Sequence, residues 1–419
     1  MLIGIWLPTH DSCGSCGYGA AVHIVLLALL LGCVGGEGGD RGSGSSQASL
    51  PTGLTVLDVW EVTPDALRSP QHHPALDLDQ SDTLAVTWDE ETNPPGAYLR
   101  LFDPSGMALS EFQRFTMCPE DVPCRPDIVA AGGRFWIGWA DDEGVKLARF
   151  DASLEREGDT VLLEATPEGE RLEAPDLASL PDGSVVATWF GSDRLEGGET
   201  ARYRLVRVTP DGVVQPRTEL DVGLAGGSPP DVTSTDRGAA VVWVARESSD
   251  DGIVSSTVWL AELDEQGGEL TRLPIWTTDT IATRPMIAAA GADRAITWRE
   301  DRPERVSLLQ LRPSGAPPHP PLLLDDGRAD KPVVQLLQGR AVVAFDVEPA
   351  PTQGRVYLQT FDMQSAAPLH PPHRVWGKGG GEQRPALGTD GDTFWVAFRE
   401  EPEGTGTPGT IRVARCQLD

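Results

Sequence analysis

The sequence predicts an all-β chain whose body, from about residue 53 to the C-terminus, is a single seven-bladed β-propeller. Three observations predict it. Seven segments repeat one pattern, with successive marker residues 47 to 55 positions apart. The strongest strand of each segment is apolar on both faces. The chain also stops one strand short of a complete seventh unit and carries a spare strand ahead of the first. A length of 419 residues suits such a ring, because closed β architectures often run long as one unit.

Each segment carries a proline and, thirteen or fourteen residues later, a bulky aromatic closing an apolar strand. The pairs are Pro74 and Trp88, Pro126 and Trp139, Pro175 and Trp189, Pro230 and Trp243, Pro285 and Trp298, Pro332 and Phe345, and Pro385 and Phe398. The proline opens a short strand, as in PALDL, PDIVA, PDLAS and PDVTS. A turn rich in Gly and Asp follows, which is hairpin chemistry. Then come the strong second strand (LAVTW, FWIGW, VVATW), a polar loop, a third strand (YLRLF, VKLARF) and a weaker, more polar outer strand such as ALSEFQRF.

Alternation in the second strand separates two faces. Counting back by twos from the aromatic gives large groups, such as Val86 and Leu84 or Ile137 and Phe135. The other face carries mostly small groups, such as Thr87 and Ala85 or Thr297 and Ala295. A strand apolar on both faces must be covered on both, and blades stacked radially do this while leaving only short edges. The segment Gly53 to Val62 (GLTVLDVWEV) has no partners of its own, and pairing it as the outer strand of the last blade closes the ring. A parallel β-solenoid is the competing architecture, for which a fifty-residue unit is long.

Ala20 to Leu31 form an apolar run of about twelve residues, short of the roughly twenty that span a bilayer. The run ends Leu30-Leu31-Gly32-Cys33, which resembles the lipobox of bacterial lipoproteins. The resemblance implies lipidation at Cys33. Residues 1–33 are therefore read as a signal peptide, 34–52 as a Gly/Ser-rich tether and 53–419 as the propeller. No Lys or Arg precedes Arg41, so the basic start of a signal is missing; an upstream artefact from Met1 to Gly19 would account for that. Cleaved soluble export and an uncleaved anchor over 17–36 stay open. The location expected is the outer membrane or cell surface.

With 34 basic and 63 acidic residues the net charge is −29, which repels phosphate backbones. Nucleic acid is not expected as a partner, and contact with a membrane is expected only through the N-terminal lipid. A monomer is expected.

If the strands run inner to outer, loops after the second strands and loops entering the first strands share one face. The first set is acidic in nearly every blade: Asp89-Glu90-Glu91, Asp141-Asp142-Glu143, Asp193, Glu247, Glu300-Asp301, Asp346 and Glu400-Glu401. The second often places a base just before the proline: His73, Arg125, Arg284, Lys331 and Arg384. These five are the candidate ligand-binding residues, a basic channel mouth suited to a sugar acid or a peptide carboxylate. The acidic turns themselves read as solvated turns with local ion pairs.

No catalytic constellation and no cofactor are assigned. His72-His73 and His370-Pro371-Pro372-His373 lack a third ligand at useful spacing. Asp77, Asp79 and Asp82 hint at a calcium loop but sit where Asp is a good turn former; no metal is assigned. Cys118 and Cys124 flank five residues (CPEDVPC), and an oxidising compartment favours a disulfide between them. Cys416 aligns with Phe102, Phe150 and Phe361 of other third strands and is expected to be buried, unpaired and unreactive.

The proline-led strand, the Asp-Gly turn and the strand ending in Trp or Phe resemble the propeller repeats of bacterial secreted proteins, including relatives of the sialidase-type repeat. The resemblance spans about Pro74 to Asp419. It lacks the Ser-x-Asp-x-Gly-x-Thr-Trp box, and fold analogy does not carry function. Arg384-Pro385-Ala386-Leu387 resembles the Arg-led strand opening of sialidases, which Arg125 and Arg284 could join. Sialidase chemistry uses a tyrosine nucleophile, whereas Tyr98, Tyr203 and Tyr357 sit in third strands as packing residues. The reading is a binding or scaffold module for a glycan or an envelope protein. The alternative is a carbohydrate-active hydrolase or lyase of sialidase-like type using the same loop face.

Overall fold

A computed structural model describes residues 53–63, 71–90, 95–119, 124–193, 201–223, 228–249, 252–301, 304–311, 320–324, 329–347, 354–377, 381–391, 393–401 and 409–418. All belong to the compact unit Ser49–Asp419. The leader, the tether and Cys33 lie outside the described residues, as do Glu91 and Asp419. No helix among the described residues is long and apolar enough to cross a membrane.

Seven antiparallel sheets form the blades of a β-propeller. Blade 1 holds Gln71–Leu78, Leu84–Glu90, Gly96–Phe102 and Gln113–Met117. Blade 2 runs Asp127–Ala131, Arg134–Asp141, Gly144–Phe150 and Val161–Ala165. In blade 3 the first strand is split into Glu170–Leu172 and Asp176–Ser179, both paired to Val185–Asp193, with Ala201–Val208 and Thr218–Gly223 beyond. Blades 4 to 6 open with Asp231–Thr235, Ala282–Ala290 and Ala329–Leu337, and blade 7 with Gly381–Thr389. The first strands of neighbouring blades touch in an unbroken cycle that returns from blade 7 to blade 1, so they surround the central channel.

Leu54–Glu61 lies antiparallel to Thr410–Leu418, with Leu54 opposite Leu418 and Glu61 opposite Arg412. It supplies the fourth strand of blade 7, so that sheet is built from both ends of the domain.

Seven apolar clusters fill the spaces between neighbouring blades. Trp88, Val86 and Leu84 pack between blades 7 and 1, whereas Ala85 on the other face packs between blades 1 and 2. Trp139, Ile137 and Phe135 also face blade 1, and Trp189 faces blade 2. The large face of each second strand therefore leans on the preceding blade. Trp88, Trp189, Trp243 and Trp298 are completely buried, each removing 150–250 Å² from water.

Turns repeat as well. After the third strands, Asp103, Asp151, Asp264 and Asp362 each accept, through Oδ1, the amide two residues on, at 2.8 to 3.1 Å. Asp79 does the same for Ser81 after a first strand, at 2.9 Å. These are Asx turns, which hold the chain reversal without help from the ladder.

Candidate functional site

At one mouth of the channel an open cavity of about 590 Å³ is lined by residues from all seven blades. His73, Arg125, Arg284, Lys331 and Arg384 all line it, and the local backbone explains why. The ladder between first and second strands skips from His72 to Ala75, Thr283 to Met286, Asp330 to Val333, and Gln383 to Ala386. The two residues left out are in each case the base and its proline. Proline has no N–H for the ladder and steers the residue before it away from the right-handed helical region. The resulting bulge re-aims the basic side chain.

All five bases lie in the left-handed region, with φ of 45° for His73 and Arg125, 50° for Arg284, 46° for Lys331 and 56° for Arg384. Such conformations cost about 1–3 kcal/mol each and gather at functional sites. Ala174 and Pro229, the residues before the prolines of blades 3 and 4, are not left-handed.

Four of the five bases meet carboxylates. Arg125 Nη1 is 2.6 Å from Glu173 Oε2, and Arg284 Nε is 3.6 Å from Asp330 Oδ1. Lys331 Nζ lies 2.9 Å from Asp346 Oδ2 and 3.4 Å from Asp330 Oδ2. His73 Nδ1 is 3.0 Å from Asp89 Oδ1. Burial holds the His73 ring neutral, with its pKa lowered to about 4. Nδ1–H therefore donates to Asp89, and Nε2 accepts from Arg384 Nη1.

Arg384 differs. Its side-chain partner is the neutral His73 ring, and among the described residues no carboxylate lies within ion-pair distance of it. Its Nε is buried without a hydrogen-bond partner. Burial lowers its pKa, and so do the nearby Arg399, Arg125 and Arg284, against the pull of Asp89.

Two further cations were not singled out from sequence. Arg299 lines the cavity and lies 2.9 Å from Asp330 Oδ1 and 3.1 Å from Asp301 Oδ1. Arg399 sits 2.8 Å from Glu401 Oε1. Each directly follows the marker aromatic of its blade, the position Asp89 and Asp346 occupy in blades 1 and 6.

Blades 2 to 4 present carboxyl groups to the same cavity: Asp127, Asp176 and Asp231, each directly after the proline. Asp127 Oδ2 accepts Leu177 N–H at 2.8 Å, Asp176 Oδ2 accepts Val232 N–H at 2.8 Å, and Asp231 accepts Ile287 N–H. Asp77 Oδ2 likewise accepts Ala130 N–H at 2.8 Å. Each carboxyl thus ties one first strand to the next blade's. Burial raises Asp77 and Asp231 to about 6. Burial, then the neighbouring carboxyl, raises Asp127 and Asp176 well above the ordinary carboxylate value.

The acidic residues after the second strands are the solvated turns expected only in part: Asp142, Glu143 and Glu247 are exposed, but others are not. Asp89, Glu90, Glu300, Asp346 and Glu400 are buried. Many of them satisfy indoles: Trp88 Nε1 donates to Glu90 at 3.4 Å, Trp139 to Asp141 at 3.3 Å, and Trp298 to Glu300 at 3.2 Å. Residues two apart share one face of a strand, so the acid caps the ring that precedes it. Where Gly191 takes that place, Glu164 of the preceding blade accepts Trp189 Nε1 at 2.8 Å.

Tyr98 and Tyr203 are buried, Tyr357 is half-buried, and none of the three lines the cavity. Cys118 and Cys124 are joined by a disulfide with Cα atoms 5.4 Å apart, directly before Arg125. Cys416 is free and buried, and burial pushes its thiol up. Among the described residues no three His, Cys, Asp or Glu side chains are placed to hold a metal ion.

No protein-family model matches the chain, and no curated protein matches it. Solved structures do. A protein of unknown function from Dyadobacter fermentans superposes with a TM-score of 0.55 at 10% identity, covering 88% of this chain and 100% of that one. The polysaccharide lyase Uly1 gives a TM-score of 0.52 at 10% identity, over 83% of this chain and 90% of that one. The Dos1 propeller gives 0.47 at 8% identity, over 87% and 95%. At such identities the first two show a shared fold alone.

Proposed function

We propose that this chain is a binding module of the bacterial envelope, exported, anchored by a lipid at Cys33 and acting as a monomer, whose ligand presents a carboxylate to the channel mouth. A sugar acid on a glycan and the carboxylate of an envelope protein both have that chemistry. The observation that carries the reading is Arg384, a half-buried guanidinium facing a neutral imidazole, with no carboxylate within ion-pair distance among the described residues. A partly desolvated guanidinium that meets its counter-charge, Asp89, only across a neutral ring has no direct ion pair, and a bound carboxylate supplies one by accepting its paired N–H donors. The strained backbone beneath all five bases supports a mouth shaped for binding rather than for stability.

Titration of the purified domain with glucuronate, N-acetylneuraminate, a peptide with a free C-terminus and neutral glucose tests this. Carboxylates are expected to bind and glucose not, with at least about tenfold loss in Arg384→Ala. Equal binding of glucose, or full binding by the variant, overturns it.

A carbohydrate-active hydrolase or lyase of sialidase-like type, working at the same face, is the second reading. It draws on the Asp89–His73 pair, which holds a neutral ring beside a carboxylate clamp as a general base requires. The polysaccharide lyase Uly1 shares the fold. Turnover of a sialoside or a uronide, lost in Arg384→Ala, would establish it; binding without turnover supports the module.

A further inference from the structure

We infer that a carboxylate binding at Arg384 is taken up together with a proton, which His73 receives. The inference rests on the carboxylate reading of this site and concerns how that site is regulated.

Charge balance is the starting point. Arg125, Arg284, Lys331 and Arg399 each have a carboxylate within ion-pair distance. Asp89 and Arg384 instead face each other across His73, one charge on each side of a neutral ring. That set is balanced while the site is empty. An incoming carboxylate adds a second negative charge beside an Asp89 side chain only 4% exposed. An unbalanced charge in such surroundings is costly, and the ring lying between the two anions is the group that can restore the balance.

The bonds rearrange consistently. Arg384 Nη1–H now donates to His73 Nε2. With a carboxylate bound, Nη1–H donates to the ligand, and Nε2 loses its donor. A proton from solvent then occupies Nε2 and is donated to the ligand as well, while Nδ1–H stays on Asp89. No covalent bond to carbon forms or breaks.

All but one of the influences on His73 act in one direction. Burial is the largest influence and keeps the free ring neutral; Arg384 of blade 7 and Arg125 of blade 2 add to it. Arg399 of blade 7 faces the adjacent His72, whose ring centre is 5.9 Å from that of His73. Asp89 alone pulls the other way. A bound carboxylate screens Arg384 and adds a second pull toward protonation. Affinity therefore rises as pH falls, by up to about tenfold per unit between the bound and the free value of the ring. At higher pH it is flat.

Calorimetric titration of the wild-type chain with glucuronate, at about pH 5.5 and about pH 7 in bis-tris and in MES, reads proton uptake directly. The expected result is roughly half to one proton bound per glucuronate at the lower pH, with binding there about two- to tenfold tighter in step with that uptake. In parallel, the His73 ring resonances should titrate at higher pH with saturating glucuronate than without it. In His73→Gln the remaining affinity should lose its pH dependence. Binding whose heat is the same in both buffers, or a His73 titration that glucuronate leaves in place, overturns the proton coupling alone. Absence of binding at both pH values overturns the carboxylate site with it.

Discussion

Trp298 Nε1 donates to Glu300 Oε1 at 3.2 Å, two residues along the same strand and on the same face. The carboxylate is 2% exposed and also accepts from Ser307 Oγ at 3.2 Å, Arg305 Nη2 at 2.6 Å and Thr280 Oγ1 at 3.2 Å. An acidic residue that reads as part of a solvated turn is thus the centre of a closed network. Glu300→Ala is expected to cost about 2–4 kcal/mol in unfolding free energy, because it strands a buried indole N–H and a guanidinium together. Glu300→Gln should cost less. Urea denaturation checks both, and a loss under 1 kcal/mol for the alanine variant would mean water replaces the carboxylate (roughly the surface value).

Arg384 should show the opposite balance. It brings a cation with no direct ion pair among the described residues into a partly desolvated mouth, so Arg384→Ala is expected to leave the melting temperature unchanged or higher while carboxylate binding falls. Loss of binding with stability retained marks a residue kept for function. A clear drop in melting temperature would instead make Arg384 part of the scaffold.

Backbone strain at the mouth can be isolated at Arg284, whose φ is 50°. Arg284→Ala and Arg284→Gly both remove the side chain and its Asp330 contact, and they differ only in whether a Cβ must occupy the left-handed region. The glycine variant is expected to be more stable than the alanine variant by about 1 kcal/mol. Equal stability would show that the loop relaxes to an ordinary conformation.

Stability should depend on pH through the channel carboxyls. Asp77 and Asp231 are raised by burial to about 6, against about 4 in an unfolded chain. Between those values the folded protein holds protons that the unfolded chain has released. Their stabilising contribution is therefore fully present below about 4 and is lost as pH rises through about 6. Melting temperature should fall between about pH 4 and about pH 6. Asp231→Asn keeps an oxygen for Ile287 N–H and should flatten that fall, melting higher than wild type at neutral pH by about 2 °C. A variant with the wild-type slope would show that other groups set it.

Reducing the Cys118–Cys124 bond, or the double Cys→Ser change, opens a small loop whose cysteines are six residues apart. A loop of that size corresponds to about 2 kcal/mol. Arg125 follows Cys124 directly, and its backbone N–H donates to Asp89 Oδ2 at 3.1 Å. The same change should therefore weaken carboxylate binding, whereas a distant change of equal cost should not.

The seven-bladed ring was legible because proline and aromatic recur in register, and the five bases were legible because each stands against a proline. What escaped reading has a physical cause in each case. Glu90, Asp141 and Glu300 lie two residues after a tryptophan, a spacing that puts acid and indole on one face; loop composition alone hides it. Asp127, Asp176 and Asp231 follow the proline in three consecutive repeats, a signal present in PDIVA, PDLAS and PDVTS. Their role depends on an amide of the next blade, about fifty residues away, which no local pattern can reveal. Arg299 and Arg399 lie near the ends of strong strands and look like ordinary strand residues until the ring brings Arg299 to the mouth and Arg399 near Arg384.

Because Leu54–Glu61 bonds to Thr410–Leu418, the first part of the domain to emerge during synthesis waits for the last. Every other blade can be completed as the chain is delivered; this one cannot, and its exposed edge persists until delivery ends. Such a molecule has a built-in requirement for safekeeping until its last strand arrives. Removing a handful of residues at either extremity should do more harm to its yield than far larger deletions within a surface loop.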